Sequence, residues 1–181
     1  ISVDTYKAAT AKAALETGAN IINDVSGGAD PEMNRIVASH GVPVILMHCE
    51  RETTADIMEG ITVTLKRKKA NALQAGVKEE NIILDPGIGF NKTLAENLEI
   101  INRLDSLKSL GCPILIGSSR KSVIGKVLDL PPQERLHGTS ATVAAAILRG
   151  ADIVRVHDVK EMVQVSRMTD AIMGRGELPS G

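Results

Sequence analysis

The 181-residue sequence predicts an α/β chain that carries six βα units of a (β/α)8, or TIM, barrel. Three observations lead there. Five helix-like segments end at a glycine that an apolar run follows within a few residues, at Gly18, Gly41, Gly76, Gly111 and Gly150; glycine reaches the left-handed conformation that closes a helix. The apolar runs are short and rich in Ile and Val, as parallel strands covered on both faces are. Nearly every run also ends in a polar group: Asp4, Asn23, His48, Asp85, Ser119 with Lys121, and Arg155 with His157. An open doubly wound sheet gathers its ligand at one or two strand ends, whereas this many converging ends suits the rim of a barrel.

In chain order, the strands are expected at residues 1–4, 21–23, 42–48, 82–85, 113–117 and 153–157. Between them, KAATAKAALET at 7–17 and the long stretch from 55 to 75 read as helices, and Asp30 with Pro31 reads as the N-cap and first turn of another. A complete barrel takes about 250 residues. The chain opens at Ile1 on what reads as the end of a strand, so residues 1–181 are expected to form one domain holding strands 3 to 8, with the first two βα units missing.

Composition narrows the function. The formal charge is −1 with dispersed Lys and Arg, and the chain has one Tyr, one Phe and no Trp. That leaves neither the basic footprint nor the stacking platform of a nucleic-acid binder. No run reaches the about 18 apolar residues of a membrane span. Cys49 and Cys112 lack metal-type spacing and suit a reduced, cytoplasmic setting.

Four stretches hold chemistry. In SVDTYK, Asp4 ends a strand; it reads either as a cap for the next helix or as a ligand group. In IINDVSGG, Asn23 and Val25 share strand parity, and an amide there both donates and accepts. In DPGIGF, Pro86 fixes the turn and Gly87 and Gly89 let the backbone come close to a ligand; the plainer alternative is a tight turn, which needs Gly and Pro but not Asp85, and Phe90 sits in the loop. In GSSRKS, Gly117, Ser119 and Lys121 share parity, and two cations with three hydroxyls suit an anionic or heteroatom-rich ligand. IVRVHD poses the sharpest question, because alternation puts Arg155 and His157 together on one side of a buried strand. Either they project into the lumen toward a flat or phosphorylated ligand, or Arg155 forms a core ion pair with Asp4 or Asp85.

Taken together, SVDTYK, IINDVSGG, VPVILMH, DPGIGFNKT, GSSRKSVIG and ERLHGTSATVAAAILRGADIVRVHDVKEM resemble the dihydropteroate synthase family, in order and over nearly the whole chain. The resemblance implies a transferase of folate biosynthesis, which joins 6-hydroxymethyl-7,8-dihydropterin pyrophosphate to p-aminobenzoate and releases pyrophosphate. It implies pterin contacts from Asp4, Asn23, Val25, Met47, Asp85, Lys121 and Arg155, with Arg155 stacking on the ring. Phe90, Ser119 and Lys121 would border p-aminobenzoate and sulfonamide inhibitors, and Arg155 and His157 would hold the pyrophosphate with Mg2+. Lys121, Arg155, His157 and Asp85 are the implied catalytic set, and a homodimer through late helices is implied as well. The family's magnesium-binding asparagine and its first two loops are expected upstream of Ile1, Cys49 stands where methionine is common, and a loop is expected to be missing after Glu50.

Three other readings compete. A methyltetrahydrofolate:corrinoid methyltransferase would share the acidic and amide ring contacts but has no use for SRKS with RVHD. A metal-dependent hydrolase would group its histidines, whereas His40, His48, His137 and His157 are scattered. A truncated, non-catalytic pterin-binding barrel is the third.

Overall fold

The computed structural model describes residues 1–176. Strands and helices alternate in the order β1 (Ser2–Thr5), α1 (Ala8–Glu16), β2 (Ile21–Asp24), α2 (Met33–His40), β3 (Val44–Met47), α3 (Ile57–Gln74), β4 (Ile82–Asp85), α4 (Leu94–Asn102), β5 (Leu115–Ile116), α5 (Ser122–Leu128), α6 (Leu136–Leu148), β6 (Ile153–Val154) and α7 (Val159–Ile172). Strands β1 to β4 form a parallel sheet in sequence order, β5 pairs with β6 in parallel, and a bridge between Leu84 and Ile114 connects the two sheets. The strands thus follow one another around a partial barrel, as expected for successive right-handed βα units.

All five junction glycines have positive φ, from 63° at Gly41 to 101° at Gly18, which is the backbone state that stops each helix and turns the chain back into the sheet. Local chemistry also sets helix starts. Asp56 accepts from Met58 N at 2.8 Å to open α3, and Thr93 with Glu96 forms a complete capping box on α4.

Side-chain alternation divides the sheet into two faces. Ile22, Val44, Leu46, Ile82, Leu84, Ile114 and Ile116 point outward into one core with helical residues such as Ala11, Val37, Ile61, Leu65, Ile100 and Ala146. Opposite parity belongs to Asp4, Asn23, Ile45, Met47, Asp85 and Leu115, and all of these but Asp4 are buried. The helices therefore cover the outside by hydrophobic burial, and the inner face is left to polar groups at the strand ends.

The structure corrects two details and adds to a third. Strands β3, β5 and β6 are shorter than the expected 42–48, 113–117 and 153–157; beyond them single backbone bonds persist, such as His48 N to Asp85 O at 2.8 Å and Arg155 N to Ile116 O at 2.9 Å, without a continued ladder. Strand β2 ends at Asp24, so Val25 lies in the following turn and its N–H donates to Thr5 O at 3.3 Å. Asp30 serves two helices: its Oδ1 accepts from Glu32 N at 3.0 Å in the turn that leads into α2, the bond expected of an N-cap, and its Oδ2 accepts from Ala8 N at 2.8 Å, at the start of α1.

Candidate functional site

Parallel pairing sets Asp4 beside Asn23 and Met47 beside Asp85. The inner face is thereby organised as a row of ring-edge partners. Asn23 Nδ2 donates to Asp4 Oδ1 at 3.0 Å, which holds the amide in place, and Asn23 Oδ1 is buried with no partner. A buried acceptor left unpaired is costly unless a ligand supplies the donor. Asp4 caps no helix; α1 begins at Lys7 without a side-chain cap.

Asp85 is buried, and its Oδ1 accepts from Gly87 N at 2.7 Å. Burial pushes its carboxyl above the usual range, against the pull of the Gly87 N–H and the charges of Lys121, Lys92 and Arg155. The turn that follows is tight for a structural reason: a Cβ on Gly87, which has φ +71°, would stand 1.9 Å from His48 O. That glycine serves the approach of one loop to the next strand rather than the approach of a ligand.

The loops after β5 and β6 form the second half of the site. Gly117, Ser119, Lys121, Arg155, Val156 and His157 line a hollow of about 160 Å³. Ser119 Oγ lies 3.0 Å from His157 Nδ1 and accepts from His157 N at 3.2 Å, fixing the imidazole against the β5 loop. Lys121 reaches from this loop to the one after β4, where its ammonium donates to Ile88 O at 2.5 Å and lies 4.8 Å from the centre of the Phe90 ring. Burial lowers the Lys121 pKa, with Asp85 opposing.

Arg155 and His157 do project to the same side, which answers the question raised by IVRVHD. The Arg155 Nη2 donates to Asp4 Oδ2 at 2.6 Å, so the ion pair exists, but the two side chains are 58% and 43% exposed. This is a contact across the open inner face between the two end strands, not a buried core pair. A guanidinium so placed keeps its face and remaining N–H groups free for a ligand.

The sequence profile of the pterin binding enzyme family matches residues 1–157. The chain belongs to the pterin binding enzyme family. It is 49% identical over 183 residues to the dihydropteroate synthase of Bacillus subtilis, an alignment that takes in 100% of this chain and 64% of that protein. Among solved structures, it superposes with a TM-score of 0.93 at 48% identity on dihydropteroate synthase from Clostridium difficile in the presence of pteroic acid, covering 95% of this chain and 66% of that one. Dihydropteroate synthase from Xanthomonas albilineans with 4-aminobenzoic acid gives a TM-score of 0.90 at 35% identity, covering 95% and 67%. The chain spans just under two thirds of the length of the first relatives it matches.

Two features of this pterin binding enzyme went unread in the sequence. Lys92 donates to three carbonyls, those of Gly87 and Phe90 at 3.0 Å and His48 at 3.3 Å, and so ties the Phe90 loop to the end of β3. Burial pulls its pKa down to about 8, with Asp85 opposing. Arg120, counted with Lys121 as a ligand cation, instead turns away to Asp158. Arg120 and Asp158 are 38 residues apart, and nothing local links them.

Proposed function

We propose that this chain is the greater part of a dihydropteroate synthase, joining 6-hydroxymethyl-7,8-dihydropterin pyrophosphate to p-aminobenzoate. The observation that carries the reading is the meeting, on one inner face, of ring-edge partners (Asp4, Asn23 and Asp85) with a cationic hollow formed by Lys121, Arg155 and His157. The same face explains why an apolar barrel keeps a buried carboxylate and an unpaired buried amide oxygen: a pterin edge offers N–H donors to the Asn23 oxygen and further donors to a carboxylate that already accepts from Gly87 N.

The reaction breaks the bond from the pterin methylene carbon to the pyrophosphate oxygen and forms a bond from that carbon to the arylamine nitrogen, which loses its proton. The carbon bears positive charge as the leaving group departs, and the ring shares it. Asp85, ionised when the ring N–H groups face it, favours that charge. Asn23 Oδ1 fixes ring orientation. Arg155 is placed to cover the ring and to meet the departing phosphate oxygens, with His157 held toward the same hollow by Ser119. Phe90 and Lys121 border the mouth through which the arylamine, or a sulfonamide in its place, would approach. Met47 packs under the ring from β3, and Val25 closes the side from the turn after β2.

Mg2+ belongs to the proposal as the pyrophosphate's counterion. The described residues do not fit a magnesium ligand set: Asp4 is already held by Arg155 and Asn23, and no group of three His, Cys, Asp or Glu side chains gathers to hold a metal. Homodimer formation through α7 is supported by the exposure of Val159, Val163, Met168 and Ile172 on that helix. A cytoplasmic setting is supported by free cysteines, and among the described residues no helix is long and apolar enough to cross a membrane.

The test is product formation. Incubating the chain with both substrates and Mg2+ should release pyrophosphate in an amount equal to the dihydropteroate formed. Binding of methyltetrahydrofolate without Mg2+, and none of the pterin pyrophosphate, would favour the corrinoid methyltransferase reading instead.

A further inference from the structure

The loop after β5 and the loop after β6 are joined by two consecutive pairs of residues. Ser119 meets His157, and Arg120 meets Asp158. The second pair is bidentate: Arg120 Nε donates to Asp158 Oδ2 at 2.9 Å, and Nη2 donates to Oδ1. Neither residue lines the hollow. Asp158 sits at the N-cap position of α7 yet makes no side-chain cap there, because its carboxylate is turned to the arginine.

The backbone at Arg120 is held in an uncommon state. Its φ is +56°, in the left-handed region that a non-glycine residue occupies at a cost. Two further bonds keep it there: Arg120 N donates to Oγ1 of the fully buried Thr139 at 3.1 Å, and Arg135 Nη1 donates to Arg120 O at 2.8 Å. The left-handed residue directs the Arg120 side chain away from the hollow that Ser119 and Lys121 line on either side of it. Arg120 and Asp158 are 34% and 16% exposed, so water screens this pair less than it screens the Arg155–Asp4 pair.

We propose that Arg120 and Asp158 are positioning residues, a latch that sets the distance between Lys121 on one loop and Arg155 and His157 on the other. The identity of the ligand rests on the dihydropteroate synthase reading; the latch itself rests on this geometry. A planar fork suits the role better than a lysine, because two parallel bonds fix orientation as well as distance.

The test uses the whole chain and its Arg120→Lys, Asp158→Asn and double variants, with two readouts. The first is calorimetric affinity for inorganic pyrophosphate with Mg2+. The second is hydrogen exchange of the backbone at 117–122 and 155–159, with thermal unfolding as the control for global stability. Each single variant should lose about tenfold in affinity and exchange faster in both loops at little change in melting temperature, and the double variant should lose no more than either single one, since partners in one contact are not additive. A charge-swapped chain, Arg120→Asp with Asp158→Arg, should recover part of the loop protection, because Asp tolerates the left-handed state. Affinity within twofold of the parent, additive losses in the double variant, or faster exchange confined to the mutated loop would overturn the latch. If the parent chain does not bind pyrophosphate, the ligand reading fails, and faster exchange in both loops still decides whether the latch exists.

Discussion

Replacing Asp85 by asparagine should weaken pterin binding and strengthen the empty protein, two effects of opposite sign. In the free chain, Asp85 is buried with one backbone N–H on Oδ1, and burial already pushes its pKa up. An amide of the same shape keeps the Gly87 bond through its oxygen and removes the cost of holding a charge away from water, so the melting temperature should hold or rise. In the complex, a carboxylate accepting ring N–H groups contributes about 1.5–3 kcal/mol, or roughly 10- to 150-fold in affinity. Asparagine would also present an N–H to those donors, which places the loss toward the upper end. The acid side follows from the same linkage. Ligand binding favours the ionised form, so parent affinity should stay flat above the raised pKa of Asp85 and fall about tenfold per pH unit below it. The asparagine variant should lack that dependence. Calorimetric titration of both proteins from acid to neutral pH, alongside thermal unfolding, measures each effect. Equal affinity in the two proteins, or a variant that loses stability and affinity together, would refute a ligand role for Asp85.

Other perturbations separate the site from its scaffold. Arg155→Lys should lower pterin pyrophosphate affinity by about tenfold, since one ammonium replaces a flat bidentate fork; its melting temperature should barely move because the Asp4 pair is half exposed. Gly87→Ala should cost about 2–4 kcal/mol in chemical denaturation through a Cβ clash with His48 O added to backbone strain. Gly18→Ala, with open space around it, should lose only the strain, about 1–2 kcal/mol. Between about pH 8, where Lys92 titrates in the folded chain, and its ordinary 10.5, the unfolded chain binds more protons, so stability should rise with pH across that window. Lys92→Met should flatten that rise in denaturant titrations.

The sequence revealed most where one residue acts through its own backbone or its strand parity. Gly18, Gly41, Gly76, Gly111 and Gly150 each marked a helix end because positive φ is a local property. Arg155 and His157 could be assigned to one face because alternation along a single strand requires no knowledge of the neighbours, whereas bringing Asp4, Asn23 and Asp85 to that face takes the register between strands. What escaped depended on which loops become neighbours at the rim. Asp30 reads as a cap for the helix that follows it, and its Oδ1 does meet Glu32 N there; its second bond, to Ala8 N 22 residues away, escaped because it needs the β1 and β2 loops side by side. Arg120 looked like a second ligand cation until the β6 loop brought Asp158 to it. The expected strand 153–157 ran past Val154 because Val156 and His157 keep a strand's composition, whereas His157 N donates to a side chain, Ser119 Oγ, rather than to a neighbouring strand's carbonyl.

The most direct measurement of the central claim, that these strand ends form a pterin pyrophosphate pocket, is a calorimetric titration of this chain with 6-hydroxymethyl-7,8-dihydropterin pyrophosphate and Mg2+. Saturable binding at one site per chain, weakened in Asp85→Asn and in Arg155→Lys, is the expected result. A folded chain that gives no binding heat, or binding that neither substitution changes, would contradict it.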